Sequence, residues 1–207
     1  MNLTKHEVES IKNKIKESEL KTSGEIVPVL ISKSDSYLYT HYLNSLIFTF
    51  LGLLLSKYEL VSLELNQTVL LFSFSLIGYL LPYFDTYKKM LLTKKEIDEE
   101  VTQRTLQAFY NNHLHKTKDG TGVLIFISLL EKRINIIGDY GINAKVDQNY
   151  WDSELEILAR SIKNNEITNG LKKVIERIGD RLSEHFPIQD DDENELKNDL
   201  ITDLKIT

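Results

Sequence analysis

Residues Leu65–Phe84 read LNQTVLLFSFSLIGYLLPYF and carry no ionisable group other than tyrosine. A helix of that length is about what is needed to cross the hydrocarbon core of a bilayer. Just upstream, Tyr42–Ser56 reads YLNSLIFTFLGLLLS, equally free of charge but shorter, so it needs its flanks, a strong tilt or a re-entrant path to match. Only the eight residues Lys57–Glu64 lie between the two runs, a connector that suits two antiparallel helices. The expectation is a transmembrane hairpin over residues 43–84 with both ends on one side of a membrane. The alternative, two core helices of a soluble fold, calls for amphipathic stripes and shorter runs.

Lysines orient the hairpin, because positive charge beside a span is retained on the cytoplasmic face. Lys88, Lys89, Lys94 and Lys95 follow the second run, whereas the connector sets Lys57 against Glu59 and Glu64. These four lysines are the candidate membrane-surface contacts, each worth on the order of 1 kcal/mol beside anionic headgroups. The soluble part is expected to face the cytoplasm, and the charged opening MNLTKHEVESIKNKIKESEL lacks the apolar centre of a signal peptide. A formal net charge of −6 and a pI near 5.4 disfavour nucleic acid as a partner. The absence of cysteine removes disulfides, thiolate metal sites and thiol nucleophiles.

Outward from the hairpin, the pattern is that of one α/β domain cut in two. Thr4 and Glu7 have capping-box spacing, and Val8, Ile11 and Ile15 recur at helical intervals, predicting a helix over 5–19. EIVPVLIS reads as a buried strand, whose Pro28 lacks a ladder donor and must face an edge or a bulge. From Thr86 a long helix is expected, with Met90, Ile97, Val101 and Ala108 or Phe109 along one stripe. VLIFIS and RINIIGD follow as a β-hairpin around Glu131 and Lys132. Trp151, Leu155, Leu158 and Ile162, then Leu171, Val174, Ile178 and Leu182, mark two amphipathic helices closed by Pro187. A crossover between the first strand and the later pair implies a small mixed-sheet α/β sandwich with flanking helices. The domain would comprise residues 1–42 and 85–187. Residues 188–207, with Asp190-Asp191-Asp192-Glu193, read as an acidic, solvated tail.

TSGEIVPVLIS, then GTGVLIFISLLEKRINIIGDYGI, then two helices ending in HFP before NELKND, resemble the TPM-domain family in their order, most of all its bacterial membrane-anchored branch. The resemblance implies a compact α/β fold in the bacterial inner membrane. For function it implies either a non-catalytic accessory or assembly factor for a membrane protein complex, or a divalent-metal-dependent phosphatase. In relatives, acidic residues entering the second strand and ending the third are associated with metal, and Asp119 and Asp139 hold those positions. Ca²⁺ or Mg²⁺ would be the expected ion, with carbonyls or water completing the shell. Glu25 is the further acidic ligand if the strand ends converge; Asn143 stands where many relatives are acidic.

The plainer reading makes both aspartates turn residues that bond nearby backbone N–H groups, and Glu25 an exposed charge at the start of a strand. His113 and His115 form an H-x-H pair, but residues two apart on a helix face different directions. Gly120 and Gly122 precede a strand instead of leading into a helix, which makes them turn formers and not a phosphate cradle. No G-x-x-x-x-G-K loop or H-E-x-x-H helix is present.

Overall fold

The computed structural model describes residues 2–57, 67–189, 192 and 194–207. In chain order the elements are α1 (Lys5–Glu19), β1 (Glu25–Ile31), α2 (Leu38–Lys57), α3 (Gln67–Leu80), α4 (Asp85–Leu91), α5 (Lys94–Asn111), β2 (Gly122–Ser128), β3 (Arg133–Gly138), α6 (Tyr140–Asn143), α7 (Gln148–Lys163), α8 (Ile167–His185) and β4 (Ile201–Thr202). They group into two compact units, residues 1–34 with 100–207, and residues 35–99.

The first unit is built on a four-stranded mixed sheet in the order β3-β2-β1-β4. β1 and β2 run parallel from Glu25↔Gly122 to Ile31↔Ser128, β2 and β3 antiparallel, and β4 adds in parallel at Val29 and Leu30. Every residue of β1 and β2 is buried, as expected of central strands covered on both faces. On one face Ile26, Leu30, Val123, Ile125 and Ile127 join a core with Ile11 and Ile15 of α1, Trp151 and Leu158 of α7, and Leu171, Val174, Ile178 and Leu182 of α8. On the other, Asn135, the register partner of Phe126, donates to Thr105 of α5 at 3.0 Å. Val101, Thr105 and Phe109 form the buried stripe of α5.

Pro28 behaves as its chemistry requires. Glu25 N–H points to Thr121 while Ile26 N–H points to Glu19, and alternation along the strand turns the Pro28 nitrogen to the same side as Ile26. On that side β4 pairs only with Val29 and Leu30, so no ladder bond is lost.

Three expectations need correction. The helix foreseen from Thr86 is broken after Leu91, where Thr93 and Glu96 form a second capping box: Thr93 N–H donates to Glu96 at 2.8 Å, and Glu96 N–H to Thr93 Oγ1 at 3.3 Å. Met90 is solvent-exposed and takes no part in the stripe. The C-terminal segment is no loose tail: β4 joins the sheet, Leu200 is buried, and Leu3 pairs with Ile206. Its apolar residues are too few and too scattered to announce a strand, and only an available edge of β1 gives them partners. Asp190, Asp191 and Glu193 of the acidic cluster lie outside the described residues.

In the second unit the two apolar runs exchange roles. α2 extends upstream through Tyr39, Thr40 and His41 to 20 residues, about 30 Å, and is long and apolar enough to cross a membrane by length and composition. The described part of the second run yields only 14 residues of α-helix before a 3₁₀ turn, Leu81–Tyr83. Pro82 sits in that turn, where its ring and missing N–H oppose continuation. Beyond it the chain bends by 101° into α4. Leu65 and most of the connector, including Glu59 and Glu64, lie outside the described residues. Among the described residues, then, one helix is long and apolar enough by itself to cross a membrane, and a second span requires α3 and α4 to be taken together across their bend.

Candidate functional site

Two regions carry unusual chemistry, one in each unit. In the first, the end of α1, the Thr22–Gly24 turn and the 192–199 segment enclose a cleft of about 680 Å³. The turn is fixed by Thr22, whose hydroxyl donates to the Phe186 carbonyl at 2.6 Å and accepts from Gly24 N–H at 3.1 Å. This sets Glu19, the last residue of α1, and Glu25, the first of β1, beside the C-terminal segment.

Glu19 accepts from Ile26 N–H at 2.8 Å with one oxygen and from the Asn198 side-chain amide with the other. Glu25 is buried; one oxygen accepts from Glu195 N–H at 2.9 Å, and the other is enclosed without a partner. Burial pushes the Glu19 carboxyl up to about 8, opposed by the Ile26 N–H and reinforced by the charge of Glu25. Burial likewise raises Glu25 to about 7, opposed by the Glu195 N–H and reinforced by the Glu195 carboxylate. Two acids thus clasp one chain segment with proton affinities close to neutral pH.

Asp119 adopts a left-handed conformation, φ +64, in the turn before β2. With Ser23, Asp192 and Glu195 it lines a cavity of about 20 Å³, into which Lys118 also faces. The Lys118 N–H donates to both Glu195 carboxylate oxygens, at 3.0 and 3.1 Å. Asp139 caps α6: its Oδ1 accepts from Tyr140 N–H at 2.7 Å while Oδ2 is buried without a partner. The two turns abut, since the Asp119 carbonyl lies where a side chain on Gly141 would stand, 2.1 Å from an ideal Cβ.

Among the described residues, however, no three of His, Asp and Glu converge into a metal-holding group. Asp139 serves as a cap, and Asn143 donates to the Gly138 carbonyl at 2.6 Å, so it secures the turn. Glu25 is not the exposed charge of the plainer sequence reading. His113 lies beyond the end of α5 in a left-handed turn, with its ring centroid 6.2 Å from that of His115. Sequence reasoning missed Glu19, Glu195 and Asn198, because only the fold-back of the last fourteen residues brings them to the cleft.

In the second unit, α2 and α3 run antiparallel, as the contacts His41 with Tyr79, Asn44 with Gly78, and Ser45 with Ser75 require. Asn44 donates to the Gly78 carbonyl at 2.7 Å and accepts from Tyr87 OH at 2.9 Å. Ser45 donates to the Ser75 carbonyl at 3.0 Å, and the two hydroxyls lie 2.9 Å apart. Gly78 allows this approach: an ideal Cβ there would sit 2.7 Å from the Asn44 carbonyl. The outward positions are apolar, with Leu46 and Phe72 each 70% exposed and Ile47, Phe50, Leu53, Val69 and Ile77 exposed beside them. The polar side chains of His41, Asn44, Ser45 and Ser75 face the helix contact, most outward positions are apolar, and the exposed Ser73 returns its hydroxyl to the Val69 carbonyl at 2.7 Å. The stripe His41, Asn44, Ser45, Thr49, Gly52 and Ser56 has helical spacing, a signal legible in the sequence but not drawn from it.

Of the four candidate surface lysines, Lys88 must be withdrawn. It is only 5% exposed and directs its ammonium toward the Ser36 carbonyl at 3.5 Å. Lys94 is exposed, Lys89 is half-buried, and Lys95 lies 3.7 Å from Glu99.

The fold is thus a small mixed-sheet α/β domain whose chain is interrupted, between β1 and α5, by a helical hairpin with an apolar exterior. Comparison with known proteins agrees on the domain. Residues 87–181 match the family model of the TPM domain. The NMR structure of BA42 protein from the psychrophilic bacterium Bizionia argentinensis is similar over 97% of this chain and 94% of its own, with a TM-score of 0.61 and 24% identity, which places the two chains in one fold. No curated protein matches the sequence.

Proposed function

We propose that this chain is a membrane-anchored TPM-type protein whose hairpin is seated in the bilayer, and that it acts as an accessory factor for a membrane protein complex. The observation that carries the reading is the inverted hairpin: the His41 imidazole, the Asn44 amide and the Ser45 hydroxyl face inward, and Leu, Ile, Val and Phe cover most of the outside. In water that arrangement exposes a large apolar surface, whereas in lipid the apolar side chains are covered and the inward polar groups keep their partners. Small residues at the helix contact and hydrogen bonds across it are the means by which helices associate when lipid removes the hydrophobic drive.

An accessory role suits the first unit, in which the acidic groups brought together act as caps and clasps. The lysine bias that follows α3 supports a cytoplasmic position for the first unit at a bacterial inner membrane. Because the chain lacks cysteine, single cysteines at Lys57 and Lys94 test both anchoring and orientation. In intact cells a membrane-impermeant maleimide should label Lys57→Cys and leave Lys94→Cys unmodified until the cells are opened. Equal labelling of both before opening would overturn the reading.

A further inference from the structure

We propose that the elbow from Tyr79 to Met90 is an interfacial collar, seated in the headgroup zone of the bilayer, that fixes how deeply the hairpin inserts. This rests on the membrane reading above and names the part of the bilayer that the segment contacts.

The first observation is how residue types are sorted along the hairpin. Outward positions in its middle are mostly Leu, Ile, Val and Phe, whereas the tyrosines of the described hairpin, Tyr39, Tyr42, Tyr79, Tyr83 and Tyr87, all lie at the end where α2 begins and α3 finishes. Amphipathic rings concentrate at membrane–water boundaries, with the ring in the acyl margin and the hydroxyl in the polar zone. Three of them cluster around His41, whose ring lies 5.4 Å from that of Tyr79 and 4.8 Å from that of Tyr83, with Tyr42 5.8 Å from Tyr79.

A second observation is the bend. A turn of 101° after Pro82 directs α4 almost at right angles to α3, so that if α3 runs through the bilayer, α4 runs along its surface. The large hydrophobic residues bared along this elbow are Tyr83, Phe84 and Met90, at 65%, 69% and 79% exposure, with Asp85 and Thr86 exposed between them. Three large apolar side chains left open at one corner are costly in water and favourable in the headgroup and acyl boundary, where short amphipathic segments bind. The charge is complementary as well. Of the lysines at and just beyond the elbow, the half-buried Lys89 and the exposed Lys94 are the ones in a position to meet the phosphate layer expected at that depth. The buried Lys88, directed at the Ser36 carbonyl, ties α4 to the start of the hairpin, so that the corner moves with the span.

The test uses the full chain with one spin-labelled cysteine at a time, at Leu46, Phe84, Met90 or Lys173, in phosphatidylcholine–phosphatidylglycerol vesicles. Collision with oxygen and with a water-soluble nickel complex reports depth. Leu46→Cys should favour oxygen strongly, Lys173→Cys should favour nickel, and Phe84→Cys and Met90→Cys should agree with each other at an intermediate ratio. If Phe84→Cys and Met90→Cys behave like Lys173→Cys while Leu46→Cys stays in lipid, the collar is wrong and the anchor stands. If Leu46→Cys also reports water, the membrane reading itself fails. Shielding of Phe84→Cys and Met90→Cys from both reagents would show a protein partner at the elbow and overturn the lipid assignment.

Discussion

Glu19 and Glu25 show what single carboxyls do in this fold. Their proton affinities are raised to about 8 and about 7 from an ordinary carboxyl value of 4.5, so folding favours the protonated forms. That contribution is complete below pH 4.5 and is lost as pH rises through 7 to 8. Thermal melts in detergent should therefore show stability falling from pH 5 to 8.5, with Glu19→Gln and Glu25→Gln each flattening the profile and exceeding the parent at pH 8.5 by about 1–3 kcal/mol. Profiles parallel to the parent's would contradict the clasp. A different carboxylate, the fully buried Glu154, is held by Arg177 at 2.8 and 3.0 Å. Arg177→Met strands that charge and should cost about 3 kcal/mol in urea unfolding, most of it recovered by adding Glu154→Leu. Of these three acids only Glu25 stands out in the sequence, as a candidate metal ligand and not as a clasp. Their chemistry comes from burial and from distant partners, whereas the capping pair Thr4 and Glu7 is local and could be read directly.

Elements were legible where one physical pattern dominates. β1 and β2 are uniformly branched and apolar, α8 repeats its core residues at helical spacing, and each was found where its pattern lies. The two apolar runs were harder, because length alone favoured the second, while Pro82 ends its α-helix and the first is lengthened upstream through His41, which pairs across the hairpin. The account at this scale is testable by crowding the contact. A Ser45→Cys, Ser75→Cys pair should form a disulfide readily on oxidation, and Gly78→Leu, which sets side-chain atoms against the Asn44 carbonyl, should abolish it. Retained cross-linking would mean that the helices do not meet there. At the break between α4 and α5, Thr93→Ala removes a reciprocal cap and should lower helix stability by about 1 kcal/mol in thermal melts.

For the whole molecule, the consequence of the insertion is that an α/β unit, residues 1–34 with 100–207, and an apolar hairpin within residues 35–99 share one chain. The TPM match over residues 87–181 and the fold shared with BA42 protein concern the domain; the role of the hairpin follows from its inverted surface. That inversion could not be read from hydropathy, which scores how apolar a run is and not which side of it faces a partner. The central claim is that the outward leucines and phenylalanines of α2 and α3 are covered by lipid. Fractionating cells that produce the full chain, followed by an alkaline carbonate wash and high-speed sedimentation without detergent, tests it most directly. Recovery in the washed pellet, released only by detergent, is the predicted result; a monodisperse species left in the supernatant would contradict it.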